Sequence, residues 1–483
     1  GLMRAVVNLN GCSAAFVSRD GLIATNHHCA YGALQNASSP EKNYLHDGFV
    51  ARDRTAELPA LGARVQIIER IDDVSQEVLA AAATSDDLER YRAVERKQKE
   101  IVARCEEQAA GQRCYVKAFY AGSVYRLFRV TELTDVRIVY APPASVGEYG
   151  GEIDNWMWPR HTGDFTLLRA YVSPSGAARD HHVDNVPHRP RVHLPVSPHG
   201  VRPGSFVAVM GYPGHTNRYL PAAAIERHVE QELPARIQLF DAWKQILAAE
   251  GTRSPDVALK VAAKEKSLAN REKNARGMLA GIRRMDLLER RRERDRALAS
   301  WAAGGPHAGV LPALQALEER RQNAYLRELV LSSIKYGASL LPIAIDLVRR
   351  ESERWKPDLD RHPLFMEREA DTLRKLQTRR LKSFDPGVEA RILASLVVAS
   401  EELDIPAFAA IRASAAERGT TIDEEAARIV RVSDIAERLD ELLAAQTVDV
   451  VGDLMLSLAA GLMPTIEAVE AEQDAIAGAA LAV

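Results

Sequence analysis

The stretch Gly11 to Ala30, GCSAAFVSRDGLIATNHHCA, leaves this chain few options. Ser13 to Ser18 is mostly small and β-branched, Arg19-Asp20-Gly21 is turn chemistry, and Leu22 to Thr25 resumes the apolar run. That order predicts two short strands joined by a tight turn. A cysteine stands at each end, Cys12 and Cys29, and Cys29 directly follows the pair His27-His28. A bridge between those cysteines would pin the end of the second strand back on the first and fix an imidazole between them. Such a clip is a way to hold a general base on a β scaffold.

The remaining cysteines, Cys105 and Cys114, form a second local pair. Two close pairs suit two disulfides and an oxidising compartment. The alternatives are four buried thiols or a metal site. No C-x-x-C occurs and the pairs lie far apart, which argues against zinc. Closing the loop between Cys12 and Cys29 would contribute about 3 kcal/mol in the chain-entropy model. Adjacent histidines also suggest metal, but neighbours on a strand point to opposite faces. His161 offers a third nitrogen, with no carboxylate or cysteine placed to complete a set. No metal is therefore expected.

A chain of 483 residues suggests two to three domains with substantial cores. The net charge of -3 gives no bulk attraction to nucleic acid or to a membrane surface. No apolar run is read as approaching the ~20 residues of a membrane span. The opening GLMRAVVNLNG already looks like the lead-in to a strand, so the natural amino terminus is expected to lie upstream, with any leader peptide.

Residues 1 to about 71 are β-like, including Arg64 to Arg70 (RVQIIER). From Asp73 to about Ala110 the pattern turns helical. Strand signals return at CYVKAFY and VYRLFRV, which flank a glycine-containing loop, then at Asp135 to Tyr140 and Phe165 to Val172. Arg191 to Leu194 and Phe206 to Met210 read as two more. Many short strands between turn residues argue for a sandwich or barrel. From about Asn217 to Val483 the texture is Ala, Leu, Glu and Arg at helical spacing, broken at Pro255, Gly304-Gly305-Pro306, Pro342, Pro357, Pro363, Pro386 and Pro406. Acidic residues interleave the Arg290 to Arg296 run, which reads as a solvated helix face. The expected class is α+β: a β-barrel portion over 1–216, with a helical insertion at about 73–110, and an α-helical cap over 217–483.

A serine-type hydrolase needs a base, a carboxylate that orients it, and a nucleophile beside an oxyanion hole. His28 is the best base. Asp164, in TGDFTLLR, is the best orienter, because an aspartate at the start of an apolar strand can bury its carboxylate beside an imidazole. The plainer readings are a packed core histidine and a turn cap.

Several longer strings narrow the field. GCSAAFVSRDGLIATNHHC resembles the histidine segment of chymotrypsin-like serine peptidases. TNHHC followed by YLHDGF, then GGEIDNWMWPRHTGDF, VMGYPGHTNRY and SLANREKNARGMLAG, resemble the bacterial dipeptidyl-peptidase seven and eleven family. These are serine exopeptidases with a double chymotrypsin-like β-barrel and a large helical insertion. The resemblance runs from about residue 9 to near the end. It implies His28 as base, Asp164 as orienter, and Asn155 and Trp156 as binders of the substrate's free α-amino group. Asn270 is implied as a further amine ligand from the helical domain, with Asn274 close by. An ammonium needs acceptor oxygens, which an asparagine carbonyl supplies. The resemblance implies oligopeptide substrates, no cofactor, a periplasmic or cell-surface location and a homodimer.

The family's nucleophile lies in a Gly-Gly-Asn-Ser-Gly string in the second barrel. Neither that string, GDSGG nor G-x-S-x-G occurs in this sequence. The expectation is therefore a carboxy-terminally truncated peptidase, with the second barrel, serine, oxyanion hole and P1 pocket outside it and activity in doubt. The rival readings are a trypsin-like endopeptidase and a catalytically inactive binding or scaffolding protein.

Overall fold

The computed structural model describes residues 1–109, 111–214, 217–445 and 447–483; the expected boundaries at 110 and 216 fall outside the described residues. It contains an antiparallel sheet and a large helical region. By contacts the chain divides into two compact units, Gly1–Leu79 with Lys97–Thr216, and Ala80–Arg96 with Asn217–Val483.

Among the described residues the first unit has eleven strands: β1 (Val6–Leu9), β2 (Cys12–Phe16), β3 (Leu22–Thr25), β4 (Phe49–Val50), β5 (Leu58–Pro59), β6 (Val65–Asp73), β7 (Arg113–Phe119), β8 (Val124–Leu133), β9 (Asp135–Ala141), β10 (Thr166–Val172) and β11 (Val186–Pro187). The main path runs β4-β9-β10-β3-β2-β1-β6-β8-β7, with β5 on β9 and β11 on β10. Ile23, Leu168 and Ile138 lie opposite one another across β3, β10 and β9, and all three are buried. Such a row of branched side chains on one face is what fixes strand register.

Two expected strands are absent. Arg191 to Leu194 contributes one ladder-like bond, Leu194 N–H to the Phe16 carbonyl at 2.8 Å, and is not a strand. Phe206 to Met210 is apolar and unpaired among the described residues, with Phe206 93% and Val209 fully exposed. β-propensity describes fit to a neighbour, and a strand forms only where one is present.

The helices of this half of the sequence are α1 (His27–Ala37), α2 (Tyr44–Asp47), α3 (Ser75–Ala80), α4 (Asp87–Gln108), α5 (Ala144–Gly147) and α6 (Gly151–Asp154). The second unit takes the first turns of α4 together with α7 (Ala222–Arg227), α8 (Leu233–Gly251), α9 (Pro255–Arg284), α10 (Leu287–Ala302), α11 (Val310–Gly337), α12 (Leu340–Glu353), α13 (Ala370–Lys382), α14 (Pro386–Ala399), α15 (Pro406–Arg418), α16 (Ile422–Val432), α17 (Ile435–Ala444) and α18 (Leu454–Ala480). Pro255, Pro386 and Pro406 are first residues of helices, where the missing N–H costs nothing. Trp243, Phe240, Phe408 and Ile392 anchor the core. Gly337 allows α11 to end against it, since a Cβ there would lie 2.9 Å from the Trp243 ring.

By length and composition α18 could cross a bilayer, which corrects the reading that no run approaches that size. Its Met455, Leu456, Ala459 and Leu462 are buried in the helical core, and a helix apolar on most sides is what a core position requires.

Candidate active site

The turn between β2 and β3 is closed by Gly21, whose φ is +69°; a Cβ there would fall 2.7 Å from the His188 carbonyl oxygen. β3 then pairs with β10 so that Thr25 faces Thr166. In this antiparallel register the chain leaving β3 and the chain entering β10 emerge side by side. His28, three residues past Thr25, therefore meets Asp164, two residues before Thr166.

The histidines lie in the first turn of α1, not on a strand as expected. Asn26 is the N-cap residue, but its side chain makes no capping bond. Asp164 does that work from outside the helix. Its Oδ1 accepts the His28 backbone N–H at 3.1 Å, one of the donors left unpaired at a helix start. Its Oδ2 lies 2.8 Å from His28 Nδ1 and accepts from Asn26 Nδ2 at 3.2 Å. Because a carboxylate only accepts, Nδ1 carries the hydrogen and Nε2 is left with its lone pair. Burial pushes the Asp164 carboxyl up, but the His28 ring, the His28 N–H and Asn26 together hold it down at about 2. The helix N-terminus adds to the same preference for the anion. The Asp164 side chain is largely buried, while that of His28 is 56% exposed.

Strand parity therefore does not separate the two histidines, but the helix does, turning successive side chains by about 100°. His27 is fully buried, with Nδ1 3.3 Å from Thr166 Oγ1 and its ring so close to Gly147 that a Cβ there would lie 2.7 Å from it. Cys12 and Cys29 are bridged, tying the first turn of α1 to the start of β2. Ligand atoms of Cys12, His28 and Cys29 lie close enough together to suggest a metal site, yet both sulfurs are in the disulfide and offer no thiolate. A second bridge, Cys105–Cys114, fastens α4 to β7.

The residues of GGEIDNWMWPRHTGD form a loop folded on itself. Gly163 N–H bonds the Val146 carbonyl at 2.9 Å and Thr162 Oγ1 the Tyr149 carbonyl at 2.5 Å, which delivers Asp164 to β10. Within the loop, the Met157 N–H bonds the Asp154 carbonyl at 3.0 Å, with Asn155 at φ -62°, ψ 132° and Trp156 at φ +60°. That is the geometry of a type II turn, whose third residue is usually glycine. The turn sends Asn155 inward, 8% exposed, and leaves Trp156 59% exposed. Asn155 Nδ2 donates to Glu152 Oε2 at 3.1 Å. Trp158 is almost fully exposed. Asn270 is an exposed residue of α9, in the second unit, whereas His28, Asp164, Asn155 and Trp156 all belong to the first. Sequence reasoning missed Asn26 and Glu152. Asn26 borders the histidine pair, but nothing in the sequence says that its amide reaches residue 164.

The profile of Peptidase S46 matches residues 1–482. An Asp/Glu-specific dipeptidyl-peptidase of Shewanella putrefaciens is 35% identical over 371 residues, covering 76% of this chain and 50% of that protein. Dipeptidyl-peptidase 7 of Porphyromonas gingivalis is 38% identical over 297 residues, covering 60% of this chain and 41% of its own. The chain thus spans about half the length, or less, of the curated relatives it matches. Among solved structures, Porphyromonas endodontalis DPP11 in complex with the dipeptide Arg-Glu superposes with a TM-score of 0.80 at 29% identity, over all of this chain and 72% of that one. With its profile matched nearly end to end, the chain belongs to the Peptidase S46 family.

Proposed function

We propose that these residues are the base-bearing part of a serine dipeptidyl peptidase that releases dipeptides from the free amino terminus of oligopeptides through an acyl-enzyme. The observation that carries the reading is the His28 Nδ1 to Asp164 Oδ2 bond of 2.8 Å on a half-exposed imidazole. The sheet is then the first barrel of a chymotrypsin-like pair, and the nucleophile is a serine outside the 483 residues.

On this reading Asp164 keeps the Nδ1 hydrogen in place, so Nε2 takes the proton of the attacking hydroxyl. The anion beside the ring stabilises the imidazolium that results, and that proton passes to the leaving amine. Water repeats the exchange on the acyl-enzyme. Asn155 and Trp156 hold the substrate's ammonium, which sets the cut two residues from the end; a role for Asn270 in that contact rests on the resemblance alone. On this reading the 483 residues supply the base and its partner, and turnover is a property to be measured on the full-length protein. The two bridges support an oxidising location, periplasmic or at the cell surface. A homodimer rests on the resemblance alone. The printed names of the relatives include both Asp/Glu-specific and type 7 enzymes, so no P1 class is assigned.

The test compares free and amino-acetylated peptides with the full-length protein. Dipeptide release from the free peptides alone is expected, and His28→Ala is expected to abolish it while His27→Ala leaves part. Equal cleavage of both peptides would make the protein an endopeptidase. No cleavage of either would favour a binding or scaffolding role.

A further inference from the structure

The amide of Asn155 is flanked by groups of opposite character. Its Nδ2 faces Glu152 Oε2 at 3.1 Å, and its Oδ1 faces Arg160 Nη1 at 3.5 Å. A carboxylate can only accept and a guanidinium can only donate, so the two neighbours decide which end of the amide is nitrogen and which is oxygen. An asparagine without such neighbours can turn over and present its NH2 instead. For a site that binds an ammonium the distinction is decisive, because only the oxygen attracts the ligand.

The placement follows from the local fold. Glu152 lies in the short turn α6 and Asn155 is the residue that ends it, so the two side chains share a face three residues apart. The turn that follows, with Trp156 at φ +60°, directs the Asn155 side chain inward to that carboxylate. A bulky residue held in the left-handed region costs of order 1–3 kcal/mol and persists only where the surroundings over-determine it. A carboxylate accepting from Nδ2 also polarises the amide and makes its oxygen a better acceptor.

We propose that Glu152 is a positioning residue for amine recognition, acting through Asn155 by fixing its amide and adding negative charge behind it. This rests on the dipeptidyl-peptidase reading above. Substrate contact belongs to Asn155; Glu152 sets which atom Asn155 offers.

The experiment uses the full-length protein, parent and Glu152→Gln, with two substrates of one sequence. One carries the free α-amine and the other has hydrogen in its place. The substituted glutamine retains the shape of the side chain but can pair with either end of the Asn155 amide. The expected result is a KM for the free-amine substrate raised about tenfold, the loss of one hydrogen bond to a charged network, with kcat changed less than about twofold. The KM for the desamino substrate should stay at the parent value. An unchanged KM for the amine substrate overturns the proposal, as does equal loss on both substrates or a large fall in kcat, which would mark a structural role. A parent enzyme that treats both substrates alike overturns the amine-site reading itself, and this proposal with it.

Discussion

Replacing Asp164 by Asn changes no volume and removes one charge and one acceptor. In the parent, the two carboxylate oxygens take three donors: His28 Nδ1, the His28 backbone N–H and Asn26 Nδ2. An amide has one oxygen. If that oxygen stays on the His28 N–H, the new NH2 faces both Asn26 and the ring. The ring meets a donor with a donor unless its hydrogen moves to Nε2, and an Nε2–H cannot accept a proton from a nucleophile. In the full-length enzyme kcat should fall by about 10⁴, as for loss of this carboxylate in a serine triad. The stability effect can be measured on the 483-residue chain. The Asp164 carboxyl drops from 3.8 to about 2 on folding, which corresponds to about 2 kcal/mol. Because the folded value is the lower one, this stabilisation is complete above 3.8 and lost as pH falls through about 2. Urea unfolding of parent and Asp164→Asn at about pH 7 should differ by about 2 kcal/mol, with the gap falling to about half by about pH 3 and closing only below about pH 2. A gap of equal size at both pH values, or none, would refute the assignment of the carboxylate.

Gly147→Ala should destabilise the chain by about 1–3 kcal/mol, since the added methyl would lie 2.7 Å from the buried His27 ring; an unchanged melting temperature would show that the ring can move aside. Replacing Cys12 and Cys29 together by Ser should lower the unfolding free energy by about 2–4 kcal/mol in urea titration, and an unchanged midpoint would contradict it. The Lys264 ammonium, bonded to the Gly337 carbonyl and Ser339 Oγ, is pushed down from 10.5 to about 8 by burial, against the pull of Glu389. Between those values the unfolded chain holds a proton that the folded one does not, so stability rises with pH. Relative to Lys264→Met, the parent should gain stability across that window; a pH-independent difference refutes it.

The β2–β3 turn could be read because Asp-Gly between apolar runs is local chemistry, and the helical second half because its spacing is. The two bridges followed from cysteines close in sequence. By contrast, Phe206 to Met210 has a strand's composition without a strand's neighbour, and the prolines taken as breaks proved in part to be helix starts. Local pattern reports propensity and is silent on pairing.

His28 and Asp164 divide along the same line. Residue types and the resemblance singled them out, but the 2.8 Å between them comes from Thr25 facing Thr166 across two antiparallel strands. Sequence alone determined that a histidine would be held beside a clipped hairpin. Only the tertiary structure decided that this histidine begins a helix, that an aspartate just before a distant strand caps that helix with the same carboxylate that orients the ring, and that Glu152 accepts from the Asn155 amide. Those are contacts between segments far apart or turned on themselves, and no period in the chain encodes them.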